Sequence, residues 1–269
     1  MAFPKISLAE WSLHKSIESG RIKNIEFPAI ARKEFGIDAV ELVSVLMEGH
    51  DTNTLNDLRA RADDEGVRIL LIMCDDEGDL SHPDIRTREA AAKNHRKWID
   101  AAAQLSCHGI RVNSGGGDFS LDLEAVKRCA ESCNGLLEYA EQFEIQVLIE
   151  NHGGISSQMD LLIALMHEVN HPLFGILPDF GNFSPGTDIY SAVEQMMPFA
   201  TRAVSAKSYD FDDTTGEETT IDYSRMLEIV GRADYQGYLG IEYEGDRLEE
   251  FEGIRRTKLL LERLLEGKE

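Results

Sequence analysis

Short runs of apolar and β-branched residues alternate along this chain with longer segments whose apolar residues repeat every three or four positions. The short runs predict buried strands, and the longer segments predict amphipathic helices that pack on one face. Strands and helices that alternate in this way are typical of parallel βα units. The predicted strands are residues 6–11, 39–44, 67–73, 109–113, 145–151, 174–180, 202–209 and 238–244. Eight is the number of parallel strands that closes a barrel.

An open doubly wound sheet is the main alternative to a barrel. Such a sheet also alternates strands with helices, but it favours a glycine-rich nucleotide-binding turn after its first strand. Here the first strand is followed by SLHKSIESG, which contains no such turn. The length of 269 residues suits one barrel, and no proline-rich linker or low-complexity tract divides the chain. The sequence therefore predicts an α/β fold with a single TIM barrel domain over residues 1–269.

The composition is acidic, with 49 aspartates and glutamates against 27 lysines and arginines and a formal net charge of −22. A surface of this charge repels phosphate backbones, which argues against nucleic acid as a partner. No stretch approaches the roughly 20 apolar residues that span a bilayer, and the start, MAFPKISLAEW, lacks the features of a secretory signal. The four cysteines are too few and too scattered for a disulfide scaffold. We therefore expect a cytoplasmic protein that binds neither nucleic acid nor membranes.

Acidic residues stand at the ends of three predicted strands. Catalytic groups of TIM barrels lie at the C-terminal ends of the strands and face one mouth. Alternation along the fifth, sixth and eighth strands places Glu150, Asp179 and Glu242 at this mouth. Three carboxylates that meet there repel one another, and a divalent cation is the simplest group that neutralises them. Carboxylate oxygens suit manganese, magnesium or zinc.

At the same strand ends the chain resembles a known family. LIENHGG, LPDFGNF, AVSAKSYDF and GIEYEG follow one another at the fifth to eighth strands, with WSLH at the first and HGIRVNSGG at the fourth. This ordered set resembles the xylose isomerase-like barrels, particularly their sugar phosphate isomerase/epimerase branch, over essentially the whole chain. The resemblance implies a small sugar or sugar acid as substrate, with or without a phosphate group, and a homodimer as the common state of relatives.

In that family four strand-end residues, in the order Glu, Asp, His and Glu, hold a divalent metal. The resemblance assigns three of these positions to Glu150, Asp179 and Glu242. The fourth falls at Ser205, because the family's usual His-x-Lys appears here as Ser205-Ala206-Lys207. A serine hydroxyl is a poor, neutral ligand. The resemblance with this departure implies a metal (Mn, Mg or Zn) that is bound weakly, is completed by water, or is absent.

The resemblance also implies a catalytic pair. In the related epimerases two glutamates flank the substrate, and one removes a carbon-bound proton while the other returns it on the opposite face. Glu150 and Glu242 match these positions. We therefore expect metal-assisted proton transfer between two glutamates through an enediolate. Dehydratase and lyase activities occur on related barrels, and the strand-end residues leave them open.

Further polar residues near the predicted mouth are candidates for substrate binding. The ammonium of Lys207 either offsets the carboxylates in place of a cation or pairs with an acidic loop residue. An arginine inside a barrel needs an anionic partner, which for Arg111 is Glu41, another carboxylate or a substrate phosphate. The substrate-binding candidates are Trp11, Glu41, Arg111, Asn113, His152, Asn182 and Lys207.

Two of these candidates allow a second interpretation, and a third, Asn182, departs from the family pattern. Trp11 offers an apolar wall for the carbon face of a sugar, or it fills the core. Asn182 stands where the family often has a histidine, so it hydrogen-bonds a hydroxyl but transfers no proton. His152, two residues after Glu150, either contacts the substrate or orients the metal ligand.

Two other functions remain as alternatives to an isomerase. An apurinic endonuclease of the same superfamily needs a three-zinc site with several more strand-end histidines and a basic groove, and this sequence offers neither. A non-catalytic sugar-binding barrel that has lost its metal site is motivated by Ser205. Metal analysis of the purified protein would help to separate these functions.

Overall fold

In the computed structural model of the chain, residues 4–116 and 120–267 are described, so the first three residues of the predicted start lie outside this part. Within the described residues, the strands are β1 (Lys5–Ala9), β2 (Ala39–Val43), β3 (Arg68–Met73), β4 (Gly109–Val112), β5 (Gln146–Glu150), β6 (Phe174–Leu177), β7 (Ala203–Ser208) and β8 (Tyr238–Tyr243). All pairings between them are parallel, and the sheet order is β6-β5-β4-β3-β2-β1-β8-β7. The predicted α/β barrel is confirmed.

The barrel closes between β6 and β7 through isolated bridges instead of a continuous ladder. One of these bridges joins Asp179 to Ser205. The Ser205 amide donates to the Pro178 carbonyl at 2.8 Å, and the Ser205 carbonyl accepts from the Phe180 amide at 3.1 Å. Pro178 has no amide hydrogen to continue a ladder. The closing bridge therefore places two of the predicted metal ligands side by side at the C-terminal end of the barrel.

Helices alternate with the strands and cover the outside of the barrel. In the described residues they are α1 (His14–Glu18), α2 (Phe27–Phe35), α3 (Thr52–Asp64), α4 (Ile85–Leu105), α5 (Leu123–Ala140), α6 (Met159–Val169), α7 (Ile189–Met196), α8 (Tyr223–Arg232) and α9 (Glu250–Glu266). Several begin at an aspartate whose side chain accepts amides of the first turn. These capping residues are Asp51, Asp84, Asp122, Asp188 and Asp222. No helix in this part of the chain is long and apolar enough to cross a membrane.

The first strand is shorter than the predicted one. It ends at Ala9, and a turn of 3₁₀ helix that contains Trp11 follows. The Ser12 hydroxyl replaces the backbone ladder to β8, because it donates to the Ile241 carbonyl at 3.0 Å and accepts from the Tyr243 amide at 2.9 Å. Trp11 therefore lies beyond the strand, partly buried against the interior of the barrel.

An apolar layer fills the barrel interior beneath the acidic strand ends. Leu148 and Leu177 each stand two residues before an acidic residue of the mouth, and Ala203 stands two before Ser205. Burial of a leucine side chain contributes roughly 1.5–3 kcal/mol. The layer supports the polar mouth and separates the two ends of the barrel. Its members are Ala9, Val43, Leu46, Leu71, Met73, Leu148, Leu177 and Ala203.

Candidate functional site

Three carboxylates meet at the C-terminal end of the barrel. One oxygen from each of Glu150, Asp179 and Glu242 lies within 4.8 Å of the others, and all three residues are buried. Glu150 is the last residue of β5, and Glu242 is the second-last residue of β8. Asp179 lies two residues beyond the end of β6. The ends of three different strands therefore bring these side chains together.

Glu150 is oriented by an amide and a guanidinium. Its Oε1 accepts from Asn182 Nδ2 at 2.9 Å, and its Oε2 lies 2.8 Å from Arg111 Nε. Arg111 Nη1 also donates to Asp75 Oδ1 at 2.6 Å. The anionic partners of Arg111 are therefore Glu150 and Asp75, and not Glu41.

Glu242 is held by a hydroxyl and an ammonium from the neighbouring strand β7. Ser205 Oγ donates to Glu242 Oε2 at 2.8 Å, and Lys207 Nζ donates to Oε1 at 2.5 Å. Lys207 Nζ also lies 3.1 Å from Glu244 Oε1 and 3.6 Å from Asp179 Oδ2. This buried ammonium contacts strand-end carboxylates and also Glu244, an acidic residue of the loop after β8, so its contacts agree with both sequence interpretations of Lys207.

The two glutamates experience different electrostatic surroundings. Burial raises the pKa of Glu150 to about 8, and Arg111 only partly opposes this effect. Burial also acts to raise the pKa of Glu242, but the charge and hydrogen bond of Lys207 outweigh it and hold the pKa below its ordinary value. Opposed shifts in a carboxyl pair are typical of sites that need one acid and one base.

The donor set of the mouth fits a divalent cation. Glu150 Oε2 and Asp179 Oδ2 are buried and lie 2.8 Å from Arg111 Nε and 3.6 Å from Lys207 Nζ, respectively, but neither oxygen accepts a hydrogen bond of good geometry from the described residues. Around them five carboxylates pair with only two cationic side chains, Arg111 and Lys207, in the described part of the chain. Negative charge is therefore in excess, and buried carboxylates need a compensating cation or proton. An oxygen-only set without imidazole suits a hard cation such as magnesium or manganese.

Glu41 lies deeper in the barrel than the mouth. Its Oε1 accepts from Ser7 Oγ at 2.6 Å, and burial raises its pKa to about 7. A Cβ atom at position 240 would lie 2.6 Å from this carboxylate, so Gly240 leaves the space that Glu41 occupies. Gly240 also stands two residues before Glu242 on the same strand face. The structure therefore places Glu41 beneath the carboxylate cluster.

The remaining candidates lie around the cluster at different depths. Asn113 Nδ2 donates to Asp75 Oδ1 at 2.8 Å, and the ring of Trp11 stacks on the ring of His14 with centroids 4.5 Å apart. The His152 side chain is exposed just beyond β5. The side-chain amide of Asn182 donates to Glu150, while its backbone amide donates to Asp179 Oδ1 at 2.7 Å. Asn182 therefore couples two of the three acidic residues.

Asp75 is the site residue that sequence reasoning missed. It pairs with Arg111, and Arg111 outweighs the effect of burial and lowers the pKa of the Asp75 carboxyl. The sequence contained a signal for this position, because Asp75 continues the alternation of the interior residues Leu71 and Met73 beyond the end of β3. It stands within the acidic run DDEGD, which resembles an ordinary solvated loop.

A further buried carboxyl, Glu10, follows β1 but has structural contacts. Its Oε1 accepts from Asn24 Nδ2 at 2.5 Å, and its Oε2 accepts from the Val43 amide at 3.0 Å. Burial raises the pKa of Glu10 from 4.5 to about 7, although both hydrogen bonds favour the charged form. Glu10 therefore ties the first turn after β1 to the end of β2.

Glu10 is expected to make stability depend on pH. Because its folded-state pKa lies above 4.5, its stabilising contribution is complete below pH 4.5 and is lost as pH rises through about 7. The loss is on the order of 3 kcal/mol. Urea unfolding between pH 5 and pH 8 should show the wild type losing stability relative to Glu10→Gln. The exposed Glu138→Gln is the control and should track the wild type; parallel curves for all three proteins would contradict the prediction.

Comparison with known proteins places the chain among barrels of one family. A family model described as a xylose isomerase-like TIM barrel matches residues 30–264. This range includes the carboxylate cluster, Ser205 and Lys207. No curated protein matches the chain.

Several solved structures with similar folds are described as sugar epimerases or as proteins like them. A D-tagatose 3-epimerase-like protein shares 19% identity over 98% of this chain and 97% of that chain, with a TM-score of 0.74. A 3-keto-D-glucoside 4-epimerase from E. coli in its apo form shares 18% identity over 97% of this chain and 99% of that chain, with a TM-score of 0.73. An L-ribulose 3-epimerase shares 14% identity over 98% and 95%, with a TM-score of 0.78. Identities this low show the common fold.

Proposed function

This chain belongs to the xylose isomerase-like TIM barrel family, and from that membership we propose that it is an epimerase or isomerase of a small sugar. The observation that carries the proposal is that carboxylate oxygens of Glu150, Glu242 and Asp179 lie within 4.8 Å of one another. Two carboxyl groups on one mouth are the groups that proton transfer at carbon requires. The names of the similar structures, which include 3-epimerases and a 4-epimerase, support a sugar as substrate.

The two glutamates divide the proton transfer between them. One carboxylate takes the proton from the carbon next to the substrate carbonyl, and the C–H electron pair moves toward the carbonyl oxygen to give an enediolate. The other glutamate then delivers a proton to the opposite face, which inverts the carbon. Asn182 and Arg111 hold Glu150, while Ser205 and Lys207 hold Glu242. Each carboxyl group is thereby fixed in the orientation that the transfer needs.

Positive charge at the mouth stabilises the enediolate. Glu150, Asp179 and Glu242 would hold a divalent cation, which would supply Lewis acidity worth several kcal/mol toward negative charge on the substrate oxygen. The buried Lys207 ammonium and the Arg111 guanidinium supply fixed positive charge at the same end of the barrel. The mouth thus combines proton carriers with groups that stabilise an oxyanion.

The proposal is tested by hydrogen exchange in heavy water. A panel of keto sugars, with and without manganese or magnesium, should include at least one that takes up deuterium at the carbon next to the carbonyl, as measured by NMR. Chromatography should then detect the epimer or isomer, and not a dehydrated product. Absence of exchange with every sugar and either metal would count against an isomerase.

A sugar-binding barrel without catalysis is the second candidate, and the ion pairs of Lys207 favour it. Lys207 lies 2.5 Å from Glu242 and already offsets part of the negative charge of the carboxylate cluster without a metal. Sugars that raise the melting temperature but show no deuterium uptake would support this candidate.

Ser205→His is expected to tighten metal binding at the mouth. The imidazole would add a nitrogen ligand next to Asp179, to which Ser205 is paired by a β-bridge. We expect affinity for zinc or manganese to rise at least about tenfold, equivalent to about 1.4 kcal/mol, in calorimetric titrations. Ser205→Ala removes the hydroxyl without adding a ligand, so it should not tighten binding. If neither the wild type nor Ser205→His binds metal, Lys207 is the neutralising group and the metal-assisted mechanism is wrong.

A further inference from the structure

A cavity lies at the N-terminal end of the barrel, opposite the carboxylate cluster. Its volume is about 510 Å³, and it is lined by residues of α3 and by residues that begin or precede β3, β4, β7 and β8. The reaction of a TIM barrel takes place at the C-terminal end. The interior layer that contains Leu71, Leu148 and Ala203 separates this cavity from the mouth. The proposed epimerase reaction therefore does not use it.

The lining is basic although the chain as a whole is strongly acidic. Arg59, Arg68 and Arg202 line the cavity, and Asp63 is the acidic residue among the lining side chains, in a chain of net charge −22. Arg59 Nε lies 3.8 Å from Asp63 Oδ2. The side chain of Arg202 is exposed, and it forms no hydrogen bond or ion pair within residues 4–116 and 120–267. Uncompensated positive charge is thus concentrated in one concave site.

The same wall contains a buried imidazole. Both ring nitrogens of His108 are buried with no hydrogen-bond partner among the described residues, and the buried hydroxyl of Tyr238 faces the Arg68 guanidinium. Burial, together with the charge of Arg202, lowers the pKa of His108 to about 4, so the imidazole is neutral at pH 7 and has one N–H to donate. Arg68 stacks on Tyr238, with its guanidinium carbon 5.4 Å from the ring centroid. Buried donors without acceptors are costly and rare in proteins.

We propose that this cavity binds a small phosphate-bearing anion. Guanidinium groups bind phosphate oxygens in pairs, and a phosphate group has several acceptor oxygens for arginine, tyrosine and imidazole donors. The volume of about 510 Å³ lies within the usual range for sites of small molecules. Nucleic acid does not suit the site, because the net charge of −22 would repel the flanking phosphates.

The test uses inorganic phosphate as the probe, with calorimetric titration of the full chain at low ionic strength, where charge pairing is least screened. The wild type should bind phosphate saturably at one site per chain. Arg202→Gln and Arg68→Gln should each weaken this binding at least tenfold. Phosphate held at the mouth would be unaffected by these two substitutions, because Arg202 and Arg68 lie at the other end of the barrel. Their losses therefore separate the cavity from any phosphate at the mouth.

Arg86→Gln is the matched control because it removes the same charge from an exposed position. Arg86 lies in the first turn of α4, about 28 Å along the helix from Leu105, which lines the cavity. We expect its phosphate affinity to stay within twofold of the wild type. Absence of saturable binding, or equal losses in Arg86→Gln and Arg202→Gln, would overturn the proposal. Tighter binding of malonate than of phosphate would overturn the assignment to a phosphate group.

Discussion

Glu150→Gln should lower the rate of substrate deuterium uptake by a factor of about 100 to 10,000, the usual contribution of a positioned acid or base. The amide has the size of the carboxyl group and can still accept the hydrogen bond that Asn182 donates at 2.9 Å. It can neither take nor return a proton at carbon. The measurement is exchange in heavy water with the sugar that the wild type turns over.

Two further variants make this result interpretable. Glu138→Gln changes the same residue type at an exposed position of α5 and should leave the exchange rate unchanged. Glu150→Asp keeps a carboxyl group but withdraws it by one methylene, so partial activity is expected. If Glu150→Gln retained a tenth or more of the wild-type rate while remaining folded, Glu150 would not carry the proton.

Lys207→Met should destabilise the protein by about 3–5 kcal/mol, the usual cost of removing one partner from a buried ion pair. Methionine resembles lysine in length, so the packing loss is small, but Glu242 and Asp179 lose the ammonium that faces them at 2.5 and 3.6 Å. Lys207 is only 1% exposed, and solvent cannot replace its charge. Urea unfolding at neutral pH measures the loss.

An exposed lysine provides the comparison for Lys207→Met. Lys127 pairs with Glu124 on the surface of α5, with 57% and 69% of the side chains exposed, so Lys127→Met should cost far less stability than Lys207→Met. Manganese or magnesium should restore stability to Lys207→Met more than to the wild type, because a cation would then face an uncompensated cluster. A cost for Lys207→Met as small as that of Lys127→Met would show that the cluster does not depend on the ammonium.

Local sequence patterns determined the barrel and the interior faces on which its acidic residues lie. Alternation with a period of two decides which face of a strand a residue occupies, so Glu150 and Glu242 could be placed on interior faces before any pairing was known. The place of Asp179 followed from the same rule applied beyond Leu177. This rule needs only neighbours in the chain, and eight strands of matching pattern leave few alternative folds.

Contacts across the barrel were decided by the tertiary structure alone. Arg111 pairs with Asp75 and Glu150 and not with Glu41, because Glu41 lies deeper in the barrel, beside Ser7. The level of one strand against the next depends on register, and a shift between Val40 and Glu41 in the pairing of β2 with β3 has no signature in the sequence. A long side chain such as that of arginine then pairs with the acidic residue that lies at the same depth along the barrel axis.

The basic cavity at the N-terminal end of the barrel also could not be predicted from the sequence. Arg202 is far from Arg59 and Arg68 in the chain, and the three stand in different elements or connections, where each resembles an isolated surface arginine. Only closure of the barrel brings β7 and β8 to the side of β3 and gathers these charges around one cavity. Periodicity reports the direction in which a side chain points, whereas the partner that it meets is fixed by how distant strands are brought together.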